Sequence, residues 1–196
     1  VTTVYHQAGG SNLVQTTAAY QPRIANAGTI ETANAPAMKF DGVNDYLTCA
    51  AVNLDEMAWY VAAKTGGSTA NFLGVISQPA SGGWTGDFTR AVIETFLTGW
   101  YQSVENTSYN VNTWGSYSAN ATKLLELHNV SGTGNFGADN GTEASAGGAP
   151  ATVTNSTQPF CVGVTHPGAS ESWNGYIGEI LGWGAGYDST ARAARR

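Results

Sequence analysis

Apolar and polar residues alternate with a period of two along much of this chain, most clearly between Ala37 and Ala50. Met38 and Phe40 flank Lys39, and the pattern stops at Asp41-Gly42. It resumes with Leu47 and Cys49 on one face and Tyr46, Thr48 and Ala50 on the other. Successive side chains of a strand point to opposite faces, so this is a β pattern. Asp-Gly between two such runs predicts two short strands around a turn. Strands this short are not stable alone, because their apolar face requires a second sheet to cover it.

The rest of the chain reads as that cover. Thr2–Tyr5 and Asn12–Val14 form weak strands around Gly9-Gly10, and residues 16–35 are polar and irregular, broken by Pro22 and Gly28. Met57–Lys64 carries small or apolar residues on both faces, which predicts a central strand buried on both sides. Phe72–Ser77 is a further strand, and Thr89–Phe96 with Trp100–Val104 forms a hairpin turning at 97–99. Trp114–Ser118 and the long Thr122–Val130 follow, the latter with Leu125 and Leu127 opposite Leu124, Glu126 and His128. Residues 131–158 are the least regular, with short strands expected around Asn140-Gly141. Pro159–Thr165 and Tyr176–Trp183 close the set. Asp188 or Ser189 can cap a final helix over 188–196, with Arg192, Arg195 and Arg196 toward its negative end. About a dozen short strands, almost no helix and no fixed-period repeat predict an all-β, two-sheet antiparallel jelly-roll sandwich. Its single domain covers 1–196: lead-in 1–35, sandwich 36–187 and the short helix.

Composition narrows the surface. Only 11% of residues are charged, against about 25% in an average soluble domain. Ser, Thr, Asn, Gln and Gly must therefore cover most of the exterior. The net charge of −6 disfavours nucleic acid and anionic membranes as partners. No apolar run approaches the roughly 20 residues that span a bilayer. No signal peptide is visible and the sequence starts at Val1, which reads as a processed form or an excised part with room for an upstream domain. Cys49 and Cys161 lie on two predicted strands. They can pair if those strands are neighbours, and otherwise serve as two buried small hydrophobes.

Candidate chemistry is sparse. Asp55-Glu56 would face opposite ways on a strand, while Glu94, Glu126 and Glu179 are isolated strand carboxylates. His6, His128 and His166 show no ligand spacing. There is no Gly-x-Ser-x-Gly elbow, P-loop or dinucleotide fingerprint. Asp41, Asn44 and Asp45 form an oxygen-rich turn of the kind calcium prefers, but these are also the default turn residues that cap their own backbone, and the turn is the reading taken. Aromatic residues cluster in the middle third: Trp84 in a Gly-rich loop, Tyr109 in a polar loop, and Trp100, Tyr101, Trp114 and Tyr117 on or beside strands. Exposed aromatics stack on sugar rings or anchor protein interfaces. Trp100 and Trp114 read first as sandwich core, and Trp84 and Tyr109 as surface residues. Trp84, Tyr109 and Trp114 are the candidate ligand-binding residues.

Phe40-Asp41-Gly42-Val43-Asn44-Asp45-Tyr46-Leu47 resembles the Phe-Asp-Gly-x-x-Asp-Tyr signature of laminin-G-like, concanavalin A-like jelly-roll domains. Residues 173–183 resemble that family's last core strand, 188–194 its following helix, and Asn140-Gly-Thr-Glu143 its hairpin. Gln15–Glu31 is similar to the lead-in of jelly-roll domains in phage and prophage virion proteins. The resemblance implies a non-enzymatic virion module, a head decoration or tail-fibre component, present in many copies. Its implied partners are other virion proteins and host-surface glycans. No catalytic residue, metal or cofactor is expected. Some laminin-G-like relatives hold calcium at the rim, and a rim calcium or a Cys49–Cys161 bridge would instead suit a secreted adhesion domain. Concanavalin A-like folds also include glycoside hydrolases, which makes a carbohydrate-active enzyme or its binding module the alternative. The Glu-x-Asp-x-x-Glu run of laminarinase-type members is missing here. The lead-in has a weaker likeness to arabinofuranosidase-like catalytic domains, from which no catalytic motif carries over.

Overall fold

The computed structural model describes residues 1–196 apart from 6–9, 34, 55, 68–71, 80–89, 97–98, 106–112, 117, 131–133, 146–156 and 184–196; beside several of these stretches it describes the backbone of strands without their side chains. The described residues contain sixteen strands: β1 (Thr3–Val4), β2 (Leu13–Val14), β3 (Ala25–Asn26), β4 (Thr29–Ile30), β5 (Met38–Asp41), β6 (Leu47–Cys49), β7 (Glu56–Thr65), β8 (Gly74–Gln78), β9 (Arg90–Phe96), β10 (Gly99–Glu105), β11 (Thr113–Ser116), β12 (Thr122–Val130), β13 (Gly134–Asp139), β14 (Thr142–Ser145), β15 (Phe160–Val162) and β16 (Asn174–Trp183). A short 3-10 turn covers Ala18–Tyr20. The eight-stranded sheet runs β1-β2-β6-β15-β8-β9-β10-β11, and the six-stranded sheet runs β14-β13-β12-β7-β16-β5. Neighbouring strands are antiparallel throughout both sheets. The all-β jelly-roll sandwich expected from the alternation is the observed architecture. The C-terminal helix expected over 188–196 lies outside the described residues.

The core is the set of inward positions of both sheets. Phe40, Val61, Leu125, Leu127 and Ile177 from the six-stranded sheet meet Leu47, Ile76, Ile93, Trp100 and Val162 from the other. Each such side chain, fully buried, contributes about 1.5–3 kcal/mol. Trp59 on β7 meets Phe160 on β15 edge to face, with ring centroids 5.0 Å apart, joining the sheets directly. As expected, β7 is central, paired with β12 on one side and β16 on the other.

One expectation about the organising stretch needs correcting. β5 and β6 do not pair with each other: β5 pairs with β16, and β6 with β15 and β2. Asp41–Asp45 is a corner that carries the chain from one sheet to the other. The Asp41 carboxylate accepts the Val43 and Asn44 amides at 2.8 and 3.3 Å, and Asp45 accepts the Asp41 amide at 3.0 Å. These side-chain contacts shape a corner wider than a two-residue hairpin turn. Gly42 is required there, since its φ is +79° and a Cβ would meet the Asn174 side chain at 2.7 Å.

Two further differences have local causes. The lead-in is not wholly irregular, because Ala27 and Gly28 at φ 48° and 83° turn β3 back onto β4. Alanine is an atypical residue for that left-handed position, which hid the hairpin. The strand expected over Pro159–Thr165 stops at Val162, because Gly163 adopts φ 85°. The Asn140-Gly141 hairpin forms as expected, with φ 50° and 79° between β13 and β14.

Candidate functional site

Four strands carry the site: β5, β6, β15 and β16. At one end they are sealed. The Phe40 ring fills the space where Gly163 lacks a side chain, so that any Cβ at Gly163 would fall on the ring. The Gly163 amide donates to the Val75 carbonyl, and the Gly163 carbonyl accepts the Trp173 amide, both at 2.8 Å. Asp45 is buried beside this seal. Burial, reinforced by the nearby Asp41 charge, raises its carboxyl from 3.8 to about 6.

At the other end the same strands border a cavity of about 520 Å³. Such a volume is within the range of small-ligand pockets. Trp59 and Phe160 line it from within, Met38 and Ile180 from the β5/β16 side, and Tyr5 and Leu13 from the lead-in strands. The lining is mainly apolar. Tyr5 is 71% exposed at its edge. A bulge at Gly178 shifts the β16 register, so Ile177 enters the core and Ile180 packs against it from three positions on.

One wall of the cavity is braced. The buried Gln78 side chain bonds both backbone groups of Val52: its carbonyl oxygen accepts the Val52 amide at 2.7 Å, and its amide donates to the Val52 carbonyl at 2.9 Å. Asn129 donates to the Leu54 carbonyl at 2.6 Å. Two buried side-chain amides therefore stand in for a missing β ladder and hold the segment after β6 in place.

Cys49 lies in this wall, and its thiol donates to the Ala50 carbonyl. Burial pushes that thiol up and keeps it protonated, which removes the thiolate a nucleophile needs. Cys161 is pushed further, to about 12, by deeper burial, against which a hydrogen bond with Ser77 acts. Both cysteines are free. In register, Cys49 lies opposite Phe160 and Cys161 opposite Thr48. The two thiols are thus on adjacent strands but on opposite faces of the sheet.

The expected site residues fall elsewhere. Trp84 and Tyr109 lie outside the described residues. Trp114 is on β11, opposite Trp100 in register. β11 is the far edge of the eight-stranded sheet from the strands that line the cavity. Trp100 itself is fully buried core, 5.9 Å from Trp173. The cavity residues Tyr5 and Trp59 were not singled out by sequence. Tyr5 ends a weak strand and Trp59 reads as core, so neither bears a local mark of a site.

Among the described carboxylates Glu179 lines the cavity, while Glu94 and Glu126 lie away from it. Glu126 and His128 are buried on the face of β12 opposite Leu125 and Leu127, with Oε2 and Nε2 3.5 Å apart and Tyr60 tilted over the imidazole. Glu94 is buried on β9, on the face opposite the core residue Ile93. These two carboxylates therefore face outward from different sheets, on opposite sides of the sandwich. Among the described residues no group of three or more His, Cys, Asp or Glu is placed to hold a metal ion. Asp41 and Asp45 are instead engaged by the amides of their own corner.

No protein-family model matches the sequence, and neither does any curated protein. Several solved structures share the fold. Trypanosoma rangeli sialidase in complex with sialic acid matches with a TM-score of 0.65 at 11% identity, over 93% of this chain and 29% of that one. Domain 4 of a GH43 extracellular arabinanase from Geobacillus stearothermophilus, in complex with arabinotriose, matches with a TM-score of 0.58 at 14% identity, over 89% of this chain and 84% of the domain. The receptor-binding domain of botulinum neurotoxin type G matches with a TM-score of 0.58 at 11% identity, over 81% of this chain and 41% of that one. At these identities the likeness shows the fold alone, and the chain spans less than a third of the sialidase.

Proposed function

We propose that this chain is a non-catalytic β-sandwich recognition module that contacts saccharides through the rim cavity. The observation that carries this reading is the cavity itself: an apolar concavity floored by Trp59 and Phe160, with the Tyr5 ring exposed at its edge. Aromatic faces take up the C–H faces of sugar rings, and a braced wall lowers the ordering cost of binding. An arabinanase domain of the same fold, solved with arabinotriose, supports a saccharide as the ligand class. The described cavity lining holds one carboxylate, Glu179, which supports binding without hydrolysis, since hydrolysis uses two carboxyls within about 5–9 Å across the scissile bond.

The resemblance of Gln15–Glu31 to virion lead-ins supports a particle surface as the setting. There many copies would convert weak single contacts into firm attachment. Protein contact between copies is the second reading, favoured by Ile24, Ile30 and Val43, which are more than half exposed on the lead-in hairpin and the corner.

The test is titration of neutral oligosaccharides, arabinotriose among them, against the wild type and Tyr5→Ala, followed by the shift of side-chain NMR resonances. Signals from Trp59 and Met38 should move in the wild type, with at least about tenfold weaker binding in the variant. No oligosaccharide-dependent shift at Trp59 and Met38 would overturn the reading.

A further inference from the structure

A second surface has chemistry of another kind. Tyr176 on β16 lies directly opposite Lys39 on β5 and Lys64 on β7. All three project from the outer face of the six-stranded sheet, since their neighbours Ile177, Phe40 and Ala63 enter the core. The Lys39 ammonium lies 5.0 Å from the Tyr176 ring centroid and the Lys64 ammonium 5.8 Å. Lys39 also donates to the phenolic oxygen at 3.4 Å, and that hydroxyl donates to Glu31 at 3.4 Å. Glu31 is in turn paired with Arg23 at 2.6 Å.

The two ammonium groups are not in ion pairs among the described residues. Arg23 and Glu31 neutralise each other, which leaves the two ammonium groups flanking one ring. Neither Lys39 nor Lys64 forms an ion pair among the described residues, whereas Lys123, the third lysine of the chain, is paired with Asp139 at 2.7 Å. Asp41, two positions along the same face of β5, has its carboxylate engaged by the Val43 and Asn44 amides. Two of the three lysines of the chain thus meet at one ring without an ion-pair partner among the described residues, with Asp41 and Glu179 further along the same face. Mutual repulsion of two such ammoniums is relieved by the ring between them and by an anion placed across them.

We infer that Lys39, Tyr176 and Lys64 form a binding site for an acidic saccharide, whose carboxylate bridges the two ammonium groups. The inference rests on the saccharide-recognition reading for its ligand class and on charge complementarity for its position. It assigns the site to the outer face of the six-stranded sheet rather than to the rim cavity, so the two can fail separately.

The experiment compares a glucuronate-bearing oligosaccharide, its neutral glucose counterpart and an acidic peptide, each titrated against the wild type, Lys64→Gln, Lys39→Gln/Lys64→Gln and Tyr5→Ala. Lys64→Gln removes a charge without breaking any hydrogen bond described above, so it keeps the test valid if the double variant folds poorly. The glucuronate ligand should bind the wild type, weaken at least about tenfold in the double variant, and weaken again when salt rises from about 0.05 to 0.5 M. Tyr5→Ala should leave that binding unchanged. Glucuronate binding that is absent, insensitive to both lysine variants, or no stronger than binding of the neutral sugar overturns the inference. Tighter binding of the acidic peptide than of the sugar overturns it as well. Loss of neutral-sugar binding in Tyr5→Ala, with glucuronate binding intact, separates the rim cavity from this face.

Discussion

The two ends of the strands β5, β6, β15 and β16 are built to opposite plans. At the Asp41 end, Phe40 occupies the space left by Gly163, Gly42 makes way for Asn174, and Asp45 is buried against its own corner. At the Met38 end, the strands border about 520 Å³ of mainly apolar space, and a tyrosine stands exposed beside it. A polar motif makes the sealed end and apolar residues line the open one. The contrast teaches that a recognisable motif marks where this fold is closed, while the cavity offered to a ligand is assembled from residues without any motif.

The largest effect should come from filling the sealed end. Gly163→Ala places a methyl group where the Phe40 ring lies, at φ 85°, and should cost about 3 kcal/mol or more in denaturant unfolding. A loss below about 1 kcal/mol would show that the seal yields easily. Next is the brace of the open end. Gln78→Ala leaves the Val52 amide and carbonyl without that side chain, and should cost about 2–3 kcal/mol. It should also weaken any ligand of the cavity, whereas Gly163→Ala acts mainly on stability.

Asp45 gives a smaller effect with a defined sign. Its carboxyl is raised in the folded state, so the folded protein holds the proton more tightly than the unfolded chain does. That stabilisation is fully present below about pH 3.8 and is lost as pH rises through about 6. Asp45→Asn can still accept the Asp41 amide. Relative to the variant, the wild type should lose about 1–2 kcal/mol between pH 4 and pH 7. Parallel stability–pH curves would exclude this role for Asp45. The smallest change should be Tyr5→Ala, within about 0.5 kcal/mol in unfolding even where it abolishes binding.

Much of the architecture was legible because burial on one face of a sheet imposes period two. Thr122–Val130 is observed with the expected bounds, and Leu125 and Leu127 are core as their alternation required. Partner choice was not legible. Asp41-Gly42 looks like a hairpin turn locally, but β5 pairs with residues near 175 and β6 with residues near 161, and no local pattern encodes such distant neighbours. The outer faces were misleading too. Glu126 and His128 alternate as solvent-facing residues would, yet both are fully buried. The cavity was hidden for a related reason. Tyr5, Met38, Trp59 and Phe160 come from four separate segments, and each reads locally as an ordinary strand residue. The Lys39–Tyr176–Lys64 row depends in the same way on register across three strands that are far apart in sequence.

The opposed faces of Cys49 and Cys161 have a last consequence. Oxidants cannot staple β6 to β15 without turning one strand over, so reductant should neither melt nor stiffen the sandwich. The cohesion of the sandwich is then independent of the redox state of its surroundings and rests on interlocked side chains, where many small disulfide-rich domains rely on covalent ties.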